Sequence, residues 1–193
     1  MREFYFLRHG QTDWNVEGRM QGRADIPLNA QGIAQALNAA EHYGKHPIDR
    51  IVSSPQIRAH MTSQHIAERL RVPVDLDQRL MERCVGVVEG MTQEEINQGD
   101  PALLHDLTIA NEWHPGRPMP KGSECMSEVA ARAHTAVMNH LARHPDDRIL
   151  FVAHGAWFRA LAHHFTGEMI YSDNATPYIF SPQDATWLIK AAI

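Results

Sequence analysis

Short apolar runs alternate with longer segments of helical periodicity along most of this chain. An apolar run of roughly four to eight residues bounded by glycine or polar residues is typical of a buried strand, whereas apolar positions spaced three and four apart predict an amphipathic helix. This alternation predicts an α/β fold with a mostly parallel sheet. Strands are predicted at about 3–8, 49–53, 73–76, 148–153, 177–180 and 186–190.

The segments of helical periodicity carry the residues that usually begin and end helices. Helices are predicted at about 30–43, 55–70, 92–99, 125–143 and 156–165. Ser54 is the predicted N-cap of the second helix and Pro55 its first residue. A buried apolar stripe is predicted along the same helix at Ile57, Met61, Ile66 and Leu70. Thr92 and Glu95 form a capping box that opens the third helix.

Two of the predicted strands end on a histidine that is followed by a glycine. Arg8 and His9 follow the first strand, and His154 and Gly155 follow the fourth. In open α/β sheets, ligands bind just beyond the carboxyl ends of the strands. We therefore expect His9 and His154 to stand at the mouth of a site, whereas most of the other histidines among the 13 in the chain are expected on helices or loops without a chemical role.

An arginine at the start of a predicted helix is a second candidate feature. Arg58 lies in the first turn of the predicted helix 55–70, where a cation is unfavourable because the helix N-terminus prefers anions. One interpretation is an ordinary surface arginine. The alternative is that a dianionic ligand lies beside Arg58, so that helix amides and the guanidinium share one phosphate.

The loop-like stretch 79–90 supplies two candidate carboxylates, Glu82 and Glu89. Either of them could be a solvated loop charge. A proton donor to a leaving oxygen must be a carboxyl held beside the phosphate. Glu82 is the candidate for that role.

These residues lie in four ordered blocks that resemble the histidine phosphatase superfamily, also called phosphoglycerate mutase-like. The first block is 8–15 with 21–32 and 35–36, and the second is 53–55 with Arg58, Ala59 and Thr62. The third block is Glu82 with Gly86 and 89–90, and the fourth is 154–155 with 159–160. The resemblance covers nearly the whole chain. It implies a three-layer αβα sandwich around the parallel sheet.

The resemblance also implies a role for each matching residue. His9 would be the nucleophile that becomes phosphohistidine, and Glu82 would protonate the leaving group and then act as the base for water. The phosphoryl oxygens would be held by Arg8, Arg58 and His154. Substrate-binding positions are implied at Asn15, Gln21, Gly22, Arg23 and Gly155. Covalent catalysis with fixed positive donors needs no metal ion and no other cofactor.

Composition limits the remaining possibilities. The length of 193 residues predicts one domain, 1–193, and the formal net charge of −5 argues against a nucleic-acid partner. Cys84 and Cys125 are too few for a disulfide framework and are not spaced as a metal clip. No apolar segment has the length of a membrane span, and the first residues lack the pattern of a signal peptide, so a cytoplasmic protein without a membrane partner is expected. The oligomeric state stays open.

Three functions remain in competition on the sequence alone. The first is a metal-independent phosphomonoesterase acting on a small phosphorylated metabolite, the second a cofactor-dependent phosphoglycerate mutase, and the third a non-catalytic regulatory member of the fold. The intact charged residues disfavour the third. The stretch 92–115 contains no arginine or lysine that could clamp the carboxylate of a phosphoglycerate, which favours the phosphatase over the mutase.

The irregular segment 100–122 is interpreted either as a lid over the site or as a plain surface loop. Contacts to the leaving group would come from irregular regions of this kind. Candidates for those contacts are Arg23, Trp113, His114, Arg117 and Lys121.

Overall fold

A computed structural model describes residues 2–99, 121–184 and 186–192. These residues form a six-stranded sheet of order β3-β2-β4-β1-β5-β6. The strands are β1 (Phe4–Arg8), β2 (Arg50–Ser53), β3 (Val74–Leu76), β4 (Ile149–Ala153), β5 (Pro177–Pro182) and β6 (Trp187–Ala191). β1 to β4 run parallel, and β5 and β6 add an antiparallel edge, so the predicted mostly parallel sheet is confirmed.

Helices cover both faces of this sheet. The helices are α1 (Asp13–Val16), α2 (Ala30–Tyr43), α3 (Ile57–Leu70), α4 (Gln93–Gln98), α5 (Met126–Arg143) and α6 (Gly155–Thr166), with 3-10 turns at Gln78–Leu80 and Gly86–Val88. Because side chains alternate across a strand, Phe4 and Phe6 of β1 pack in the core under α5 and α6, whereas Leu7 packs in the core under α2 and α3. The result is the three-layer αβα sandwich that the resemblance implies.

Several predicted helix ends are confirmed. Asn29 caps α2, since its side chain accepts a hydrogen bond of 2.9 Å from the amide of Gly32. The capping box of Thr92 and Glu95 opens α4. Gly167 ends α6 in the left-handed conformation with φ of 76°, which glycine adopts at little cost.

The predicted start of α3 is wrong, and its predicted apolar stripe is only partly confirmed, since Ile66 lies in the core and Leu70 packs against it. The helix begins at Ile57 rather than Pro55, and its first amide is capped by the carboxylate of Asp25 at 2.6 Å rather than by Ser54. Ile57 is 36% exposed, and the buried positions of the helix are Arg58, Ala59, Thr62, Ser63 and Ile66. Two polar members of this face, Arg58 and Thr62, serve the site described below.

Two expectations stay untested. Residues 100–120, which carry most of the segment interpreted as a lid or a loop, lie outside the described residues. The division into a single domain stays a prediction. None of the helices in the described ranges is long and apolar enough to cross a membrane.

Candidate active site

The two histidines at the strand ends come together because β1 and β4 are parallel neighbours in the sheet. Arg8 pairs with Ala153 in the register, and the amide of His9 donates a 3.0 Å hydrogen bond to the carbonyl of Ala153. His154 follows Ala153 directly. The rings of His9 and His154 lie 5.2 Å apart between centroids, so the two strand ends that the sequence singles out form one site.

His9 is held as a neutral imidazole with one free lone pair. Its Nδ1 lies 2.7 Å from the carbonyl oxygen of Gly10, and because a carbonyl can only accept, Nδ1 must carry the proton. Nε2 therefore keeps its lone pair. The ring is buried, and burial, together with the charges of Arg58 and Arg8, lowers the pKa of His9 well below its usual value. The imidazole is thus neutral, with its one proton on Nδ1, at neutral pH.

Gly10 fixes the loop that carries this histidine. Its amide donates to the hydroxyl of Thr62 at 3.1 Å. A Cβ at Gly10 would lie 2.4 Å from the carbonyl oxygen of Gly32, and a Cβ at Gly32 would lie 2.0 Å from that of Gln11. The loop after His9 and the start of α2 therefore approach so closely that only glycine fits at both positions.

Two arginines, Arg58 buried and Arg8 half-buried, provide positive charge beside His9. Arg58 is fully buried, so the interpretation as a surface arginine is excluded, and its guanidinium donates to the carbonyls of Ala24 at 2.7 Å and Gly22 at 3.0 Å. Arg8 donates to the carbonyl of Ser172 at 2.8 Å. Burial lowers the pKa of Arg58 to about 10, which leaves it charged at neutral pH. In the described part of the chain, the buried Nε atoms of both arginines have no hydrogen-bond partner.

The ring of His154 is anchored through Nε2. Its Nε2 lies 2.8 Å from the hydroxyl of Ser54, which also accepts the amide of Gln56 at 3.3 Å. Its buried Nδ1 has no partner among the described residues. Burial, with the charge of Arg58 as the next cause, lowers the pKa of His154 well below its usual value. Ser54 therefore orients the second histidine instead of capping α3.

Glu82 reaches the same region from the loop between β3 and α4. Its carboxylate accepts hydrogen bonds from the amides of Arg83 at 2.8 Å, Ala156 at 3.2 Å and Trp157 at 3.3 Å. The last two amides belong to the first turn of α6, where an anion is favoured. The carboxyl group is thereby held at the N-terminal end of α6, the helix that follows His154.

An ion pair fixes the loop that presents Glu82. Arg132 of α5 forms a bidentate bridge to the carboxylate of Glu124, with distances of 2.6 and 2.9 Å. The same guanidinium donates to the carbonyls of Arg79 at 2.7 Å and Met81 at 2.6 Å. Arg132 and Glu124 are therefore positioning residues for the loop 79–82.

Asn15 lines the same site from α1, the short helix that follows His9 in the chain. Its Oδ1 faces the amide and hydroxyl of Thr12 at 3.1 and 3.2 Å and the side-chain amide of Asn174 at 3.4 Å. This leaves its Nδ2 donor for a ligand, since the structure gives Nδ2 no bond within the described ranges. Asn174 also donates to the carbonyl of His9 at 2.8 Å and thereby holds the backbone at His9.

These residues surround one cavity of about 680 Å³. Of the predicted residues, it is lined by Arg8, His9, Asn15, Gln21, Gly22, Arg58, Glu82 and Gly155. His154 lies beside His9 without lining the cavity. Arg23 does not line it either, because its side chain reaches Met81 at 2.9 Å and Glu124 at 3.5 Å. Among the candidates for leaving-group contacts, 113, 114 and 117 lie outside the described residues.

The cavity also contains residues to which the sequence pattern assigns no role. The most notable are Arg83, Arg159, Tyr171, Gln93 and Asn97. Arg83 directly follows Glu82, and Arg159 belongs to the fourth block one helical turn after Gly155. Both could therefore have been named as site candidates from their positions next to predicted site residues. Gln93, Asn97 and Tyr171 carry no such signal.

Potential metal ligands lie elsewhere in the described chain. Asp75, His140 and His144 each offer an atom within 4.8 Å of the others. They line a second cavity, beside β3, and belong to neither strand end that carries His9 and His154. Asp75 is already paired with Arg50 at 2.8 Å, so this group has the geometry of an ion-pair network.

A family model and the similar proteins described below place this chain in the same family. The sequence model described as "Histidine phosphatase superfamily (branch 1)" matches residues 4–191. Glucosyl-3-phosphoglycerate phosphatase of Mycobacterium tuberculosis (strain ATCC 25618 / H37Rv) is 38% identical over 173 residues, which cover 83% of this chain and 74% of the relative. Probable phosphoglycerate mutase GpmB of Proteus mirabilis (strain HI4320) is 37% identical over 155 residues, covering 80% and 70%.

A solved structure agrees with the sequence relatives. A mycobacterial glucosyl-3-phosphoglycerate phosphatase, complexed with VO3, superimposes with a TM-score of 0.85 at 32% identity and covers 100% of this chain and 98% of its own. The similarity therefore extends through the whole architecture of the described residues.

Proposed function

The chain belongs to the histidine phosphatase superfamily and is a phosphomonoesterase of a small phosphorylated metabolite, and we propose that it works through a covalent phosphoryl intermediate on His9. The observation that carries this proposal is the state of His9. Its Nδ1 proton is committed to the carbonyl of Gly10, so the lone pair of Nε2 is available. Arg8, half-buried, and Arg58, fully buried, supply cations whose charge acts on it.

In the first step, the phosphate dianion binds where the buried Nε atoms of Arg8 and Arg58 and Nδ1 of His154 have no protein partner among the described residues. Nε2 of His9 attacks phosphorus while the bond from phosphorus to the ester oxygen breaks. Preorganised donors of this kind stabilise the charge that spreads over the equatorial oxygens in the transition state. Glu82 enters this step as the carboxylic acid and gives its proton to the departing oxygen, so the alcohol leaves and Glu82 becomes the carboxylate.

In the second step, water attacks the phosphorus of phosphohistidine. Glu82 now accepts a proton from that water, and the bond from phosphorus to Nε2 breaks. Inorganic phosphate is released, and the lone pair of His9 is restored. The two steps use the same carboxyl group in opposite directions, as general acid and then as general base. No step in this cycle needs a metal ion.

The experiment that tests the proposal traps the intermediate. Phosphohistidine is stable in base, so a rapid alkaline quench with labelled p-nitrophenyl phosphate should leave label on the peptide that contains His9. His9→Gln should abolish both label and turnover, whereas His46→Gln, at an exposed histidine, should retain both. Full turnover by His9→Gln would refute the proposal.

A mutase is the second candidate, because one relative is named a probable phosphoglycerate mutase and the cavity contains the further cations Arg83 and Arg159. Hydrolysis and isomerisation share phosphohistidine but differ in the fate of the phosphoryl group. We expect release of inorganic phosphate from phosphomonoesters, without comparable interconversion of 3- and 2-phosphoglycerate, whether or not 2,3-bisphosphoglycerate is added. Efficient isomerisation with negligible phosphate release would favour the mutase.

A further inference from the structure

Arg159 is a cavity-lining cation whose charge has no anionic partner among the described residues. It lies in the first half of α6 and is half-buried. Its guanidinium carbon lies 5.1 Å from the centroid of the Tyr171 ring. Within the described ranges the guanidinium makes no hydrogen bond and no ion pair. A guanidinium held over an aromatic ring keeps its five donors free for a ligand.

The position of Arg159 relative to the phosphate subsite is set by the helix. Gly155, Ala156 and Arg159 all line the cavity. Four residues of helix rise by about 6 Å, and side chains lean toward the helix N-terminus. Arg159 therefore projects into the cavity along the first turn of α6, next to the region where the phosphate would bind.

The electrostatics of its neighbours agree with this placement. After burial, the charge of Arg159 is the next cause that lowers the pKa of Arg83, and burial with the charge of Arg159 also lowers the pKa of Arg8. Arg159 thus acts on a cation at the phosphate subsite and on a second cation, Arg83, whose Nε donates to the carbonyl of Glu124 at 2.8 Å.

The described lining of the cavity contains five arginines and, as its one carboxylate, Glu82. Arg19 has its own partners, Glu17 at 2.7 Å and Glu95 at 3.1 Å. A phosphate dianion would serve Arg8 and Arg58. It would leave Arg159, one turn further along α6, without an anion of its own.

We propose that Arg159 binds a second anionic group of the substrate, so that the substrate is a phosphomonoester with a carboxylate or a second phosphate two or three carbons from the ester oxygen. This inference rests on the proposed function, because both place the reacting phosphate beside His9. Tyr171 is a positioning residue that holds the guanidinium over the cavity.

Two matched pairs of probes test the proposal. In the carboxylate arm, 3-phosphoglycerate is compared with glycerol 3-phosphate, which has an alcohol in place of the carboxylate. In the phosphate arm, the bisphosphate of 1,3-propanediol is compared with its monophosphate. The wild type should favour the anionic member of one pair by about tenfold to 100-fold in kcat/KM, as for a charge-assisted bond. The arm that shows this preference identifies the second anion.

Variants then assign the preference to Arg159. Arg159→Gln should reduce the preference at least about tenfold, chiefly through KM, because the lost bond forms in the ground state and the transition state alike. Arg159→Lys should keep part of it, and Tyr171→Ala should weaken it while Tyr171→Phe keeps it. Arg69→Gln, at an exposed arginine paired with Glu41 on α2, is the matched control.

The outcomes separate this inference from the proposed function. Hydrolysis of all four probes at similar kcat/KM, or a preference that Arg159→Gln leaves unaltered, would overturn the second anion subsite and leave the phosphatase intact. Equal losses on both members of a pair in Arg159→Gln would also overturn it. Failure to hydrolyse any probe or p-nitrophenyl phosphate would instead count against the proposed function.

Discussion

Acidification should destabilise this protein through the two buried histidines of the site. An unfolded chain binds a proton on each histidine with a pKa of about 6.5. Burial, reinforced by Arg58, lowers the pKa of both His9 and His154 well below that value in the folded state. Below about pH 6.5 the unfolded state therefore binds more protons than the folded state, so the free energy of unfolding falls as the pH falls. This stabilisation is fully present above the unfolded pKa and is lost toward the folded one.

The magnitude follows from proton linkage alone. Between about pH 7.5 and pH 5.5, each histidine that stays neutral in the folded state costs about 1.4 kcal/mol, so the pair costs about 3 kcal/mol. Urea denaturation followed by tryptophan fluorescence, in buffers without phosphate, gives the free energy of unfolding at each pH. Phosphate is left out because an anion bound to the folded state would add its own stabilisation.

Variants isolate the contribution of each histidine. His42, His140 and His164 also have a lowered pKa, so only differences between variant and wild type are interpreted. His9→Gln and His154→Gln should each remove about 1.4 kcal/mol of the pH-dependent change. The exposed His46→Gln should follow the wild type. If the free energy of unfolding of His9→Gln and His154→Gln depends on pH as it does in the wild type, then His9 and His154 are not held neutral by burial in the folded protein. The explanation given for the free lone pair of His9 would then be refuted.

Three further perturbations test the site. Glu82→Gln should reduce turnover of alkyl phosphates by at least about 100-fold but affect p-nitrophenyl phosphate much less, since that leaving group needs little protonation; equal losses would move the acid role elsewhere. Arg58→Lys should stay about 100-fold below wild type in turnover, because a point charge cannot reproduce the fork that donates to two carbonyls, and near-normal turnover would contradict that role. Gly32→Ala should lower stability by about 1–3 kcal/mol in urea titrations and impair turnover, because its Cβ would meet the loop after His9. Gly44→Ala at the other end of α2, where φ is −62°, should change both much less.

The sheet and its catalytic edge could be predicted because both depend on local pattern plus one general rule. Each buried strand is a short apolar run, and parallel neighbours place their carboxyl ends at one edge. That rule places Arg8, His9 and His154 at the same edge of the sheet. Their direct proximity depends in addition on β1 and β4 being neighbours, as their register shows, and the local pattern does not determine which strands are neighbours.

The role of Ser54 could not be predicted in the same way. Serine before proline is a common start of a helix, and local pattern therefore assigned it to the cap of α3. Asp25, from a distant loop, caps the helix instead and frees the hydroxyl for His154. Arg58 shows the same limit, because only its complete burial excludes a surface arginine. Both cases depend on contacts far apart in sequence.

Two further cavity-lining cations, Arg83 and Arg159, bear on the choice between phosphatase and mutase. The stretch 92–115 lacks arginine and lysine, but Arg83 and Arg159 reach the cavity from the Glu82 loop and from α6. A cation that holds a non-reacting anion of the substrate, as proposed for Arg159, acts on the ground state and the transition state alike, so it affects which substrates bind and not what happens to the phosphoryl group. The fate of phosphohistidine depends instead on whether water reaches phosphorus beside Glu82. Substrate preference and reaction type are therefore separable properties of this site, and Arg159→Gln should change the first without converting hydrolysis into transfer.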